Sequence, residues 1–506
     1  MKKIKVQDKL TLTGITSDSR EVKPGYAFIA ISGFKEDGNK YIGDAVKRGA
    51  AIIYTDKQIV EADWDVPVVF VKNARKELAK LADRFYQSPS KKINLIGVTG
   101  TNGKTTTTYI IHSILNNCNN PAGLLGTIDY KIGNESITSK LTTPHSTFIQ
   151  QFLNQLVATN NKAAVMEVSS HGVKLNRVAQ LDFDIGIYTN LAPDHYDLHP
   201  DFADYLNTKK SWFDSLKESA CLIYNKDDTF ASEMVGSSPA ATKISYGFGE
   251  NCVVRGDNRK INEKGLSLEI TITEPFSGIA GKIGRFNLEP QSITINTAML
   301  GKHNCYNVMA AVTACLVHGI PLSKIQASLQ KFPGVWRRMQ LIQQEPFFVI
   351  DDATHNPQNY EAVFEATREL PYNKMWVVVG IRGNRGWQIN YENAIVIGKY
   401  YQELKFNLAV TKSLDTNGPL DEVFPEEEQA FTRALWEHKV SFDLYDELFE
   451  SLREVLGKVQ KNDLVLLLGG HPFDNVNQMV EPFINNRIEQ LVPDSLVNTE
   501  EKALRC

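Results

Sequence analysis

The run from Gly97 to Thr106, G-V-T-G-T-N-G-K-T-T, has the residue types of a loop that holds a nucleotide phosphate. It overlaps the end of Ile93–Val98, an apolar segment that predicts a buried strand, and precedes Thr107–Leu115, which predicts a helix. Backbone N–H groups at such a strand–turn–helix junction, together with the helix N-terminus, bind anions. Lys104 is expected to reach the β- and γ-phosphates, and Thr105 to ligate Mg²⁺. The spacing is a variant of G-x4-G-K-[ST] that lacks the first glycine, and we expect it to bind ATP or a close relative.

Two further polar clusters directly follow predicted strands. Glu167 lies in M-E-V-S-S-H, where a carboxylate beside a phosphate loop can hold Mg²⁺, although a helix-capping role explains it equally well. Asp194 and His195 lie in T-N-L-A-P-D-H-Y-D, and Lys209 follows on a predicted helix. Isolated histidines and lysines are usually structural or solvated, but this order of strand, Asp-His and helical lysine favours a functional site.

Two more clusters lie further along the chain. Asn304 and Asn307 open an alanine-rich helix, and helix capping would account for one of these asparagines but not for both. Arg338 and Asp352 lie at the start of the last third of the chain, where a surface salt bridge is the simplest interpretation of the pair.

The pattern of apolar segments predicts an α/β protein of three domains. Residues 1–90 alternate short strands with helices, and a polar, proline-containing linker follows. Residues 91–333 repeat strand and helix after the phosphate loop, which predicts a central P-loop domain with a doubly wound, mostly parallel sheet. Residues 334–506 carry further buried strands between helices, which predicts a Rossmann-like C-terminal domain.

The composition is that of an ordinary globular protein, with 42% apolar and 23% charged residues among 506. A net charge of −4 gives no reason to expect nucleic acid or a membrane as partner. Six cysteines without a C-x-x-C pair, no secretory signal and no apolar run of spanning length predict a cytoplasmic protein, which we expect to be a monomer.

Taken in order, these clusters resemble the Mur ligase family, and within it the branch that adds the third peptide residue. Members carry G-T-N-G-K-T-T, M-E-V-S-S-H, T-N-L-x-x-D-H-x-D-x-H, a following Y-x-x-x-K and G-x-x-N-x-x-N, and all are found here at family spacing. An arginine and D-x-A-H-x-P open the family's third domain. The second of these reads D-A-T-H-N-P from Asp352 to Pro357, so either Asp351 or Asp352 matches the family's aspartate.

The resemblance implies an ATP-dependent, ADP-forming ligase that joins an amino acid to the carboxylate of a UDP-N-acetylmuramoyl-peptide through an acyl phosphate. It implies a first Mg²⁺ on Thr105 and Glu167, and a second on His195 and a carbamate formed on Lys209. Lys104, Glu167, His195 and Lys209 would be catalytic. The implied ATP-binding residues are Gly100, Thr101, Asn102, Gly103, Lys104, Thr105, Thr106, Asn304, Arg338 and Asp352.

The resemblance also implies residues that contact the two other substrates. For the UDP-muramoyl-peptide these are Ser17, Ser19, Thr142, Thr143, Ser169 and Arg177. For the incoming amino acid the family's residues are replaced, and Arg382 and Arg385 of this chain are available to bind the α-carboxylate.

The resemblance weakens in the last third of the chain, where the family selects its amino acid. The family's D-N-P-R, G-G-D-R-D-x-G-K-R and G-K-G-H-E are replaced by D-T-N-G-P-L, G-I-R-G-N-R-G-W-Q and L-G-G-H-P. We therefore expect an acceptor other than meso-diaminopimelate, smaller or more apolar. A paralogue that acts on a different carboxylate is the alternative. An inactive nucleotide-binding scaffold is disfavoured by the intact Lys104, Glu167, His195 and Lys209.

Overall fold

The computed structural model describes residues 4–6, 10–33, 36–58, 64–194, 198–262, 265–419 and 421–491. The chain divides into two compact units. The first comprises Met1–Asp257, Glu269–Thr294 and Tyr306–Leu329, and the second Asn258–Leu268, Ile295–Cys305 and Gln330–Cys506. No helix in the described part of the chain combines the length and the apolar character that crossing a membrane requires.

The strands and helices alternate along most of the chain. The strands are β1 (Ile4–Val6), β2 (Leu10–Leu12), β3 (Gly14–Thr16), β4 (Tyr26–Ala30), β5 (Ala50–Thr55), β6 (Val68–Phe70), β7 (Asn94–Thr99), β8 (Ala122–Leu125), β9 (Asp129–Ile132), β10 (Glu135–Thr138), β11 (Ala163–Glu167), β12 (Ile185–Tyr188), β13 (Cys221–Asn225), β14 (Thr242–Gly247), β15 (Val254–Asn262), β16 (Gly265–Ile272), β17 (Phe276–Ala280), β18 (Gly284–Leu288), β19 (Gln291–Thr297), β20 (Gln340–Gln343), β21 (Phe348–Asp352), β22 (Met375–Gly380), β23 (Asn407–Thr411), β24 (Phe442–Tyr445) and β25 (Leu464–Leu468). The helices are α1 (Ile42–Lys47), α2 (Ala74–Phe85), α3 (Lys104–Asn117), α4 (Ser146–Ala158), α5 (Ser170–Lys174), α6 (Phe202–Asp214), α7 (Ala231–Gly236), α8 (Lys302–Val317), α9 (Leu322–Gln330), α10 (Pro357–Thr367), α11 (Trp387–Leu404), α12 (Pro425–Glu437), α13 (Leu448–Leu456) and α14 (Val476–Leu491).

The first unit contains two parallel arrangements. Strands β3 to β6 form a small sheet in sequential order, and all their pairings are parallel. In the large sheet, the order β8-β11-β7-β12-β13-β14 is parallel throughout, and β9 and β10 extend it with antiparallel pairings. The predicted α/β class with a mostly parallel central sheet is confirmed.

The connections around β7 create a switch point in this sheet. The chain leaves β7 toward β8 and β11 on one side, and then returns to β12 on the other. Loops that leave the carboxyl ends of β7, β11 and β12 therefore diverge from one edge, which is where open α/β sheets bind ligands. The phosphate loop, Glu167 and the T-N-L-A-P-D segment all follow these three strands.

The second unit has a six-stranded sheet in the order β20-β21-β25-β22-β23-β24. Only β20 pairs antiparallel, because β20 and β21 are joined by a short turn. Successive residues of β25, Leu464–Leu468, alternate between two apolar cores, one packed with α10, α11 and α12 and the other with α13 and α14. Helices pack on both faces of this sheet, which explains why the sequences of these strands are continuous apolar runs.

Candidate active site

The phosphate loop joins β7 to α3 and requires glycine at two positions. Gly100 and Gly103 have φ of +149° and +84°, a region that side chains rarely adopt. A Cβ on Gly100 would lie 1.9 Å from Thr189 Oγ1, and one on Gly103 would lie 2.2 Å from Asn307 Oδ1. Helix α3 begins at Lys104, three residues earlier than predicted, so the helix N-terminus lies directly at the loop. This geometry presents backbone N–H groups to an anion.

The segment after β12 braces this loop through both backbone and side chains. Asn190 O accepts from Thr101 N at 2.8 Å, and Asn190 Oδ1 accepts from Asn102 N at 2.9 Å. Thr189 Oγ1 donates to Asn102 O at 2.7 Å, and Thr101 Oγ1 bonds Ala192 at 2.9–3.1 Å. These bonds give the T-N-L-A segment a structural role. Its hydroxyl and amide groups form hydrogen bonds with the backbone N–H and C=O groups of the phosphate loop.

Lys104 is the first residue of α3, and its amine lies over the loop. Nζ donates to Gly100 O at 3.0 Å and to Thr101 O at 2.8 Å. The following Thr105 and Thr106 are buried. A lysine amine this close to the glycine loop is placed to exchange carbonyl partners for phosphate oxygens.

Lys209 lies in α6 with its side chain fully buried beside the same loop. Its Nζ donates to Gly100 O at 2.9 Å and lies 4.8 Å from the centre of the Tyr205 ring. Burial holds the pKa of Lys209 well below its ordinary value, and the charge of Lys104 lowers the pKa further. The charge of Asp194 opposes this shift. This shift favours the neutral amine, which is the form that acts as a nucleophile.

Glu167 ends β11 and is completely buried. Its Oε1 accepts from Thr127 N at 2.8 Å and its Oε2 from Thr127 Oγ1 at 3.0 Å. Thr127 lies in the loop after β8, so this carboxylate binds a loop and does not cap a helix. The helix-capping interpretation of Glu167 is therefore wrong. The carboxylate is oriented at the same edge as the phosphate loop.

The predicted ligand His195 lies outside the described residues. Within the described ranges, no three His, Cys, Asp or Glu side chains converge to form a metal site. Mg²⁺ does not need such a cluster, since it is usually held by one or two carboxylates together with substrate phosphates and water. The buried carboxylate of Glu167, at the end of a strand that pairs with β7, and the hydroxyl of Thr105 at the start of α3 are donors of that kind.

Three predicted substrate residues form one hydrogen-bonded group in the first unit. Arg177 Nη1 donates to Thr143 O at 2.8 Å, and Thr143 Oγ1 lies 3.0 Å from Ser169 Oγ. The Nε of Arg177 is buried with no hydrogen-bond partner among the described residues. Thr142 Oγ1 lies 3.1 Å from Thr127 Oγ1, so this group adjoins the carboxylate of Glu167. An arginine with an unused buried donor suits a carboxylate.

Ser17 and Ser19 follow β3 in the small N-terminal sheet. Ser17 is half-buried and Ser19 is buried in a short turn. Asp18 holds that turn by accepting from Arg20 N at 3.0 Å. Ser17 is therefore partly accessible, whereas Ser19 is largely enclosed.

The remaining predicted ATP residues lie in the second unit. Asn304 is buried and donates through Nδ2 to Leu300 O at 2.7 Å. Asp352 ends β21, and its carboxylate accepts from Met339 N at 2.8 Å and from Thr354 Oγ1 at 2.6 Å. Arg338 is half-buried and donates to Arg337 O. The salt bridge considered for Arg338 and Asp352 is made instead by their neighbours, Arg337 and Asp351, at 3.1 Å.

Arg337 is a residue whose role the sequence does not indicate. It is 1% exposed with φ of +52°, and its guanidinium donates to Asp351, Asp474 at 2.6 Å, Gly469 O at 2.5 Å and Gly470 O at 2.8 Å. It ties the start of this sheet to the glycine loop after β25. The two adjacent arginines are visible in the sequence, but only their different burial in the structure shows that Arg337 and Arg338 have different roles.

Arg337→Met is expected to lower the free energy of unfolding by about 3–5 kcal/mol, because it leaves a buried carboxylate and two carbonyl groups without their cation. Arg338→Met is the matched control and should cost less than about 1 kcal/mol. Urea unfolding followed by circular dichroism provides the comparison. Equal losses in both variants would contradict the assigned difference between the two arginines.

The edge of the central sheet, with its glycine loop, helix N-terminus and two lysines, defines a nucleotide-binding unit of the P-loop α/β class. Three family descriptions match the chain in order: "Mur ligase family, catalytic domain" over residues 11–86, "Mur ligase middle domain" over 98–315 and "Mur ligase, glutamate ligase domain" over 337–471. The chain belongs to the Mur ligase family, and it is an ATP-dependent amide ligase of the MurE type.

Individual relatives extend this similarity over nearly the whole chain. A protein of Caldanaerobacter subterraneus named UDP-N-acetylmuramoyl-L-alanyl-D-glutamate–2,6-diaminopimelate ligase is 33% identical over 96% of this chain and 95% of its own. One of the same name from Oceanobacillus iheyensis is 32% identical over 91% and 90%. A solved structure of a ligase of that name has a TM-score of 0.66 at 20% identity, covering 96% and 97% of the two chains. The Thermotoga maritima MurF ligase in complex with ADP has a TM-score of 0.65 at 19% identity, covering 96% and 100%.

Proposed function

We propose that this protein uses ATP to join an amino acid to the free carboxylate of UDP-N-acetylmuramoyl-L-alanyl-D-glutamate, with release of ADP and phosphate. The observation that carries the proposal is the position of Lys209, whose buried amine bonds the same Gly100 carbonyl as the phosphate-loop lysine. The names of the relatives support this substrate pair. Their similarity across all three family regions favours it over a different carboxylate.

The reaction divides into two transfers. A carboxylate oxygen of the muramoyl-peptide attacks the γ-phosphorus of ATP, so that the bond to the β-phosphate oxygen breaks and ADP leaves. The amine of the amino acid then attacks the acyl carbon, loses a proton and displaces inorganic phosphate. Lys104 and the N–H groups from Gly100 to Thr106 would hold the phosphates while negative charge shifts toward ADP. Mg²⁺, held by Thr105 and Glu167, would neutralise charge on the same oxygens.

Lys209 is proposed to act as a carbamate. The neutral amine favoured by its burial adds to CO₂ with loss of one proton, which converts a neutral side chain into an anionic ligand. An ammonium at this point would repel Lys104 and both metal ions, whereas a carbamate would bind them. Together with His195 it would hold the second Mg²⁺.

The muramoyl-peptide carboxylate is proposed to bind at the group formed by Thr143, Ser169 and Arg177. The buried Nε of Arg177 supplies a donor, and the two hydroxyls adjust to a carboxylate oxygen. Ser17 and Ser19 would contact the uridine end, and Asn304, Arg338 and Asp352 the adenosine and γ-phosphate. The domain boundaries are proposed at residues 90 and 333, with the protein acting as a cytoplasmic monomer.

The test is ADP release by the purified protein with UDP-N-acetylmuramoyl-L-alanyl-D-glutamate, ATP, Mg²⁺ and a panel of about twenty amino acids. ADP is expected only when the muramoyl-peptide and one or a few of the amino acids are both present, and the product should gain the mass of that amino acid less one water. ADP formation that needs no muramoyl-peptide, or that occurs with another carboxylate only, would overturn the proposal.

Lys104→Ala is expected to lower ADP release by about 10²-fold or more, because it removes a charge-assisted phosphate contact where negative charge develops. Lys92→Ala, which alters an exposed lysine just before β7, is the control and should retain full activity. Turnover by Lys104→Ala equal to that of the unaltered protein would contradict the role given to the loop.

A further inference from the structure

Glu427 is a buried carboxylate in the first turn of α12 that binds a loop distant in sequence. Its Oε1 accepts from Arg385 N and Gly386 N, both at 2.7 Å. Its Oε2 accepts from Asn384 N at 3.0 Å and from Phe424 N at 2.9 Å. Three successive N–H groups that point to one centre form a concave anion site of the kind that binds phosphates. Here the anion is supplied by the protein itself.

The loop held in this way connects β22 to α11 and has a second fixed point. A Cβ on Gly383 would lie 2.1 Å from the carbonyl oxygen of Asp421, so the two backbones are in close contact. Gly386 has φ of +90°, which allows its N–H to turn toward Glu427. The conformation of residues 383–386 therefore depends on the segment 421–427 rather than on the loop's own sequence.

This loop presents Arg385 at the carboxyl edge of the six-stranded sheet. The guanidinium is about one-third exposed, with Nη2 3.8 Å from Asp421 Oδ1. His471 lies in the loop after the neighbouring strand β25, and its pKa, raised chiefly by Asp474, also responds to the charges of Asp421 and Arg385. An arginine, an aspartate and a histidine thus lie close together at the edge where α/β sheets bind ligands.

We propose that Glu427 is a positioning residue that holds Arg385 for the α-carboxylate of the incoming amino acid. This inference rests on the proposed function. The planar guanidinium can bind a carboxylate through two parallel N–H donors, but only when its backbone is held at a suitable place and angle. The three bonds from the N–H groups of residues 384–386 to Glu427 supply that constraint. The loop stands where the family carries G-G-D-R-D-x-G-K-R, so this device replaces the lost Lys-Arg pair.

A purely structural role for Glu427, capping α12, predicts a different result from positioning of Arg385. Capping affects the amount of folded protein and hence the rate with every substrate alike. Positioning affects the preference for an amino acid over the matching amine that lacks the α-carboxylate. The discriminating quantity is therefore the ratio of kcat/KM for the two compounds of such a pair.

The experiment measures this ratio in the full-length protein for L-lysine against cadaverine, L-alanine against ethylamine, L-phenylalanine against 2-phenylethylamine and meso-diaminopimelate against D-lysine. The pair whose amino acid reacts fastest is used for Glu427→Gln, Arg385→Ala and the double variant. Glu426→Gln is the matched control, because it makes the same change one residue earlier at an exposed position.

We expect the unaltered protein and Glu426→Gln to prefer the amino acid by about 100-fold or more. Arg385→Ala and Glu427→Gln should each reduce that preference by about 10-fold or more, through the KM of the amino acid, with the KM of ATP unchanged. The double variant should resemble Arg385→Ala, because Glu427 acts through that residue.

An unchanged preference in Glu427→Gln, or losses that multiply in the double variant, would overturn the inference and leave the proposed function intact. Absence of ADP release by the unaltered protein with every amino acid of the panel would instead contradict the proposed function. The two failures are therefore distinguishable in the same assay.

Discussion

With meso-diaminopimelate, kcat/KM is expected to be about 10⁴-fold lower than with the best amino acid, although the relatives are named for that substrate. The distal end of diaminopimelate carries an ammonium and a carboxylate, and burying such charges without partners is costly. The family meets this requirement with the arginine of D-N-P-R, a Lys-Arg pair and the glutamate of G-K-G-H-E. The chain has D-T-N-G-P-L, Trp387-Gln388 and Pro472 in these places.

The structure gives the replaced segment a different task. Both carboxylate oxygens of Asp415 accept backbone N–H groups at the start of α13, from Leu448 at 2.8 Å and Phe449 at 3.0 Å. Asp415 therefore caps a helix and is already engaged by its own chain. Trp387 is 58% exposed at the start of α11, which favours an acceptor with an apolar side chain.

Steady-state kinetics with diaminopimelate and the other amino acids of the panel check this prediction. Leu420, which lies outside the described residues, occupies the place of the arginine in D-N-P-R, so Leu420→Arg should raise kcat/KM for diaminopimelate more than for L-alanine. If diaminopimelate proves to be the best substrate of the unaltered protein, the anchors for its distal carboxylate lie in residues other than those considered.

Lys209→Ala is expected to lower ADP formation by about 10³-fold, because the proposed second metal position would lose its carbamate ligand near the transferred phosphoryl group. Short carboxylic acids such as acetate or formate should restore part of the activity, since they can occupy the space of the missing carbamate. Because Nζ is buried 2.9 Å from Gly100 O, removal of the side chain should leave space for such an acid beside the phosphate loop.

Lys210→Ala is the matched control for this change. The adjacent lysine points elsewhere and pairs with Asp214 at 2.8 Å, so its loss should leave turnover within about 2-fold. Electron density at Lys209 in a crystal grown with ADP and Mg²⁺ is the direct observation. An unmodified amine in that crystal, or no rescue by any small carboxylate, would contradict the carbamate.

The phosphate loop and the parallel sheets could be predicted from the amino-acid sequence because their causes are local. Gly100 and Gly103 are needed for backbone conformations that the loop adopts within a few residues. Buried strands such as Leu464–Leu468 are apolar throughout because both faces are covered. The order of strands around β7 then brings Glu167 and the T-N-L-A-P-D segment to the edge of the sheet where the loop lies. The family resemblance, which is based on the order of the motifs, predicted that these segments act together.

Only the tertiary structure decided the roles that depend on burial and on partners far along the chain. Arg337 and Arg338 are identical in type and adjacent, yet one is enclosed by Asp351 and Asp474 while the other is half-exposed. Glu427 belongs to a run of three glutamates, and only its contact with the loop at residues 384–386 distinguishes it. Sequence patterns report which face of an element is apolar, whereas a buried charge is specified by the groups that satisfy it, and these come together only when the chain is folded.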